Sequence, residues 1–198
     1  MFNFQDSIFS PPNAGSIPPD TQIILVSDMF ADEYPGGAEL TTQGLIDASP
    51  FKVHCVKSKD VTMELLRKGA ELFWVFGNYA QLNMQLVPSI VGNLRYTILE
   101  YDFKFCRFRS PDKHQAETGQ PCDCDQQMNG KVISAFMYGA RGTWWMSERQ
   151  MEQVHQRFPF LRDKDNIVLS SIFPAETLGK LKLLREQREK LKPEELGP

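Results

Sequence analysis

The sequence predicts an α/β fold, a Rossmann-like parallel sheet with helices on both faces. Three observations predict it: short apolar runs rich in β-branched residues recur along the chain, turn residues bound them, and helical segments separate one run from the next. Strand and helix alternating in this way require crossover connections, which a parallel sheet supplies. The opening unit, residues 22–47, shows the pattern most clearly. Gln22–Ser27 is short enough for a strand buried on both faces, and Ile23, Ile24 and Val26 suit a pleated surface. Asp28–Pro35 is polar and irregular. Gly36-Gly37 then allows close backbone approach before Ala38-Glu39-Leu40 starts a helix, whose free N–H groups and positive dipole end favour a phosphate or carboxylate at Gly36, Gly37 and Ala38. An ordinary tight turn between strand and helix needs glycines as well.

The remaining elements follow in order. Phe51–Val56 reads as a second strand, Thr62–Lys68 as a short helix ending at Gly69, and Leu72–Phe76 as a third strand. Gln81–Val87 is expected to be a short helix and Arg95–Glu100 a fourth strand. The alternation breaks at residues 102–129, a polar insertion too long for an ordinary loop in a compact domain. It resumes with helix Gly130–Gly139, strand Thr143–Met146, helix Ser147–Phe158 capped by Ser147, and strand Ile167–Ser171. Trp144 and Trp145 fall in a buried strand and read as core. Pro174–Lys192 carries leucines at 178, 181, 184 and 191 among many charges, the pattern of a surface helix. The organisation is thus an extended N-terminal arm over 1–21, a Rossmann-like domain over 22–173, and a charged helix and tail over 174–198. Phe2, Phe4, Ile8 and Phe9 are the arm's anchors to the body.

Composition narrows the function classes. A chain of 198 residues with 41% hydrophobic and 24% charged residues suits one soluble domain, and a net charge of −3 provides no electrostatic footprint for nucleic acid. No window approaches the apolar length of a membrane span, and the N-terminus lacks the basic and apolar regions of a signal peptide, so a cytoplasmic location is expected. Four cysteines, unevenly placed, do not form a secreted disulfide framework. Neither a phosphate-binding loop ending in Gly-Lys-Ser/Thr nor a G-x-G-x-x-G fingerprint is present, which disfavours a nucleotide hydrolase or a dehydrogenase.

The strand IILVSDMF, the turn PGGAE, the strand TILEYDFKF and the strand-to-helix start WWMSERQ together resemble glycosyltransferases of the GT-B fold, which are built from two Rossmann-like halves. The similarity is to the amino-terminal half, most closely in retaining members with a GGxE turn, and spans residues 22–173. It implies that this half binds the sugar acceptor while the other binds most of the nucleotide-sugar donor, with Gly36 and Gly37 meeting the donor diphosphate across the cleft. The sequence departs from the family at two places. The family's donor-binding half has no counterpart after Ser171, so the expected enzyme is complete only with a C-terminal domain or a separate subunit. The family's frequent His-Asp after the fourth strand is replaced by Glu100-Tyr101-Asp102, which leaves Asp102 as the acidic catalytic candidate, a local turn or cap role being its alternative. Arg141, between Gly139 and Gly142 immediately before a strand, is placed to reach into a cleft and is a substrate-binding candidate. The alternative function is a stand-alone, non-enzymatic Rossmann-like module that holds a small anionic ligand.

Within the insertion, Cys106, His114, Cys122 and Cys124 form C-x7-H-x7-C-x-C, so three of four cysteines and one of three histidines are co-located. Thiolate and imidazole are zinc's preferred ligands, and four of them fold a polar loop that has no core of its own while leaving no position open for catalytic water. The expectation is one structural zinc ion, with free thiols in a reducing cytoplasm as the alternative. Nucleotide-sugar enters as a substrate rather than a cofactor. His54 and His155 are expected on a strand and a surface helix, with no partner evident.

Overall fold

The computed structural model describes residues 16–172 and 175–190. The anchors expected at Phe2, Phe4, Ile8 and Phe9 lie outside the described residues. Two compact units are present. Among the described residues, one contains those up to Met29 together with Pro50–Ser170; the other contains Phe30–Ser49 and those from Ser171 onward.

The first unit is built on a six-stranded sheet in which every neighbouring pair is parallel, the Rossmann-like arrangement that the alternation predicts. Its strands are β1 (Ile23–Ser27), β2 (Val53–Lys57), β3 (Phe73–Phe76), β4 (Arg95–Glu100), β5 (Gly142–Trp145) and β6 (Asp165–Val168), in the spatial order β2-β1-β3-β4-β5-β6. The order reverses between β1 and β3, the switch point whose carboxyl-terminal crevice binds ligands in open α/β sheets. Register places Ile24 beside Trp74 and Trp74 beside Tyr96, and likewise Val26 beside Phe76 and Phe76 beside Ile98. These rows are fully buried and meet the aromatic ring of Phe136 edge-on from Phe76 and stacked from Tyr96, at centroid distances of 5.1 Å each.

The helices of this unit are α2 (Met63–Lys68), α3 (Val87–Asn93), α4 (Pro111–Thr118), α5 (Met128–Gly139) and α6 (Glu148–Arg157). Thr62 and Ser147 cap α2 and α6, accepting from the backbone N–H groups of Leu65 and Gln150. α3 packs on α5, where a side chain on Gly139 would collide with Val91 and with the Tyr96 hydroxyl. The helix expected over 81–87 is instead a single 3-10 turn, Met84–Leu86, that leads into α3. Pro88 explains the shift, since proline is well placed only in a helix's first turn. The strand expected at 167–171 begins at Asp165 and stops at Val168, because Ser170 adopts a left-handed φ of 64°. Asp165 and Asn166 are tolerated on it because β6 is an edge.

The second unit holds α1 (Gly37–Ala48) and α7 (Ala175–Glu189). Gly44 of α1 lies against Ile172, which leaves no room for a Cβ. α7 has no buried residue, and Leu178, Leu181 and Leu184 are exposed along it.

Candidate metal centre

The chain leaves β4 at Glu100 and turns tightly. Cys106 N–H donates to the Phe103 carbonyl at 2.8 Å, Arg109 N–H to the Cys106 carbonyl at 2.9 Å, and Phe103 N–H to the Arg109 carbonyl at 3.3 Å. Closing this knuckle forces Arg109 to a φ of 59°, a conformation costly for a residue with a side chain. Ser110 then caps α4 by accepting from Lys113 N–H at 3.2 Å, with Pro111 in the first turn, and Gly119 ends the helix in the left-handed conformation. His114 is the only buried residue of α4. The Phe108 ring meets its imidazole edge-on at 5.2 Å.

Four ligand atoms converge there. His114 Nδ1 lies 3.7 Å from Cys106 Sγ and 3.3 Å from Cys124 Sγ, and Cys122 Sγ lies 3.6 Å from Cys106 Sγ. All four atoms fall within 4.8 Å of one another, and all four residues are buried. A tetrahedral site with metal–sulfur bonds of about 2.3 Å and metal–nitrogen bonds of about 2.0–2.1 Å sets its ligand atoms roughly 3.5–3.8 Å apart. The three closest separations, 3.3–3.7 Å, lie near that geometry, within a group whose atoms are all less than 4.8 Å apart. They exclude a disulfide, whose sulfurs sit about 2.0 Å apart, and none of these three cysteines is bonded to another. The group is therefore a Cys3His set that could hold a metal ion. Burial pushes the Cys122 thiol up to about 12, so the thiolate needs a cation beside it; a divalent ion reverses the preference outright.

The surroundings hold this group in place. Arg157 of α6 donates to the Cys122 carbonyl at 2.9 Å and to Asp125 Oδ1 at 2.5 Å, and its guanidinium lies 5.3 Å from the Phe105 ring centre. Phe105 in turn packs edge-on against Phe158. Gly130 is required by contact: a Cβ there would overlap the Cys124 carbonyl oxygen and crowd Asp125 Cα.

Beside this group lies a charge network, buried at Glu100 and Lys104 and partly exposed at Asp102 and Arg109. Asp102 accepts two hydrogen bonds from Arg109 Nη1, at 2.8 and 3.0 Å, and one from Lys104 Nζ at 3.2 Å. Lys104 Nζ is also 3.6 Å from Glu100, and both of those side chains are almost wholly buried. Burial raises the Glu100 carboxyl to about 7, Lys104 pulling it back and Asp102 pushing it further up. Glu100 Oε2 and the Tyr79 hydroxyl have no hydrogen-bond partner among the described residues.

The other predicted site residues are dispersed. Arg141 is exposed at the amino-terminal end of β5, its N–H donating to the Tyr96 carbonyl. In an all-parallel sheet that is the edge opposite the one from which Asp102 emerges, so the structure does not bring these two together. Gly36, Gly37 and Ala38 belong to the second unit, at the start of α1, where no side chain caps the helix. A Cβ on Gly36 would strike Tyr34 and the Glu39 carboxylate, whereas one on Gly37 would meet nothing within 4 Å, and neither glycine has a positive φ. His155 is buried rather than on a surface, 3.3 Å from Asn166 Oδ1, an atom that also accepts from Trp145 Nε1 at 2.8 Å. Asp28, which the sequence does not single out, follows β1 at the switch point and accepts from the N–H groups of Ala80 and Gln81 at 2.9 and 3.0 Å and from the Ser58 hydroxyl. Partners thirty to fifty-three positions away leave no local signal.

No protein-family model matches the chain, and no curated protein sequence matches it significantly. Among the described residues no helix is long and apolar enough to cross a membrane.

Proposed function

We propose that Cys106, His114, Cys122 and Cys124 hold one structural zinc ion, and that the sheet carrying them is the acceptor-side half of a GT-B glycosyltransferase. The near-tetrahedral spacing of three sulfurs and one imidazole nitrogen is the observation that supports zinc. Four protein ligands fill the coordination sphere, which assigns the ion to folding rather than to activating water. Its work is to pin residues 102–129, whose mostly polar sequence reaches the core through Phe105 and little else beyond the ligand cysteines. Complete removal of metal with a strong chelator should lower the melting temperature and open this insertion to protease. Unchanged melting after verified metal loss would contradict a structural ion.

The transferase reading rests on the four resembling segments, the PGGAE turn among them, together with an all-parallel sheet whose order reverses at β1 and β3. In this reading the N–H groups of Gly36–Ala38 meet the donor diphosphate, and the sugar passes to an acceptor held by this half. Open space at Gly37 makes it the discriminating position, because added bulk there blocks an approaching anion without disturbing the fold. Gly37→Val should melt within about 1 kcal/mol of the parent and lose at least about tenfold in transfer rate, assayed with the donor-binding half present. Near-normal transfer by the stable variant would remove the turn from the site. Anion binding lost in Gly37→Val, with no transfer under any condition, would favour the stand-alone binding module.

A further inference from the structure

A cavity adjoins the Cys3His group, with Cys106 in its wall. It encloses about 140 Å³ and is lined by Lys104, Arg107, Arg109, Tyr79 and Asn129, with Met84 and Ile133 as its apolar wall. Three cations line it and no carboxylate does, although Lys104 is paired with Glu100 and Asp102, and Arg109 with Asp102, from outside its wall. Lys104 is nine-tenths buried or more, with its ammonium 5.0 Å from the Tyr79 ring centre. Arg109 commits one nitrogen to Asp102, and the rest of its fork makes no hydrogen bond among the described residues. Arg107 has no carboxylate partner among them; its guanidinium lies 4.9 Å from the Phe108 ring centre. Asn129 belongs to the first turn of α5, a twelve-residue helix whose N-terminus has no side-chain cap.

Tyr79 supplies the independent observation. It is 1% exposed, lines the cavity, and its hydroxyl has no hydrogen-bond partner among the described residues. A buried hydroxyl left unpaired is costly, and native structures usually explain it by something bound there. An acceptor-rich anion answers the hydroxyl and the cations together, since guanidinium forks match oxyanion geometry and charge-assisted bonds are the strong ones.

We propose that this cavity binds a small oxyanion of the phosphate class, held by Lys104, Arg107 and Arg109 and by the Tyr79 hydroxyl. The volume suits a single phosphoryl group. Two sources share that chemistry, free phosphate and the monoester of a phosphorylated sugar. Gly36, Gly37, Ala38 and Asp102 do not line the cavity, and the tested residues Tyr79 and Arg107 make no hydrogen bond to Asp102, so failure of the site leaves the transferase reading standing.

The test is calorimetric titration of the metal-loaded, full-length chain with inorganic phosphate and, separately, with glucose 6-phosphate, at matched ionic strength in chloride. Saturable one-to-one binding is expected, weakened at least about tenfold by Tyr79→Phe and by Arg107→Gln. Tighter binding of the monoester identifies a phosphorylated ligand, and equal binding identifies the free ion. Arg107→Gln changes an exposed side chain and keeps the test decisive if Tyr79→Phe fails to fold. No saturable binding of either probe at millimolar concentration, or binding unchanged in a folded variant, would overturn the site.

Discussion

Glu100 ends a central strand on the core face, beside Trp145 in register and wholly buried, a position that sequence reading assigns to a strand end and nothing more. Its neighbours are Lys104, Asp102, Arg109 and Tyr79, and burial holds its carboxyl near 7 against an ordinary value of 4.5. A carboxyl whose folded value is raised contributes stability that is full below about 4.5 and is lost as pH rises through about 7. Glu100→Gln removes that titration while keeping shape. The variant should therefore gain on the parent as pH rises across this window, by a few kcal/mol at most, read as the difference between their denaturant midpoints at pH 5 and pH 8. Loss of the proposed ion at acid pH would affect both proteins and drop out of the difference. Parallel midpoints across the range would show that Glu100 stays charged when folded. Cys106, His114, Cys122 and Cys124 are legible from spacing, because thiols and an imidazole seldom crowd into one polar stretch unless something binds them there. Asp28 and Tyr79 are not. Their roles depend on which loops the sheet brings to its carboxyl edge, and that follows from strand order rather than from neighbours in sequence.

At the scale of elements, the strands are legible in their β-branched runs, and β4 is legible to the residue. α4 is not, because its only buried residue is His114 and it shows no apolar period. Its punctuation is nonetheless present in Ser110-Pro111 at the start and Gly119 at the end. The junction between the Cys3His group and α5 is tight, since the Cys124 carbonyl oxygen occupies the space that a Cβ on Gly130 would need. Gly130→Ala should force that carbonyl away and tilt a ligand. The expected result is a loss of about 1–3 kcal/mol in unfolding free energy with weaker zinc retention in a chelator competition. Helix propensity alone predicts the opposite, a gain of up to about 1 kcal/mol on replacing glycine by alanine inside a helix. The sign of the change thus decides between contact and propensity. A stabilised variant that keeps its metal would refute the contact.

For the molecule as a whole, one all-parallel sheet sends its strand ends to a single edge, and the polar insertion leaves from that edge after β4. The insertion buries three cysteines and a histidine side by side, and the structural zinc proposed for them would make its order depend on an ion. That dependence is the central claim. It is tested most directly by zinc-edge X-ray absorption of protein purified without chelator, with elemental analysis of the same sample. The account predicts about one zinc per chain, surrounded by three sulfurs at about 2.3 Å and one nitrogen at about 2.0–2.1 Å. A folded chain without zinc, or zinc in a shell of oxygen and nitrogen alone, would contradict it.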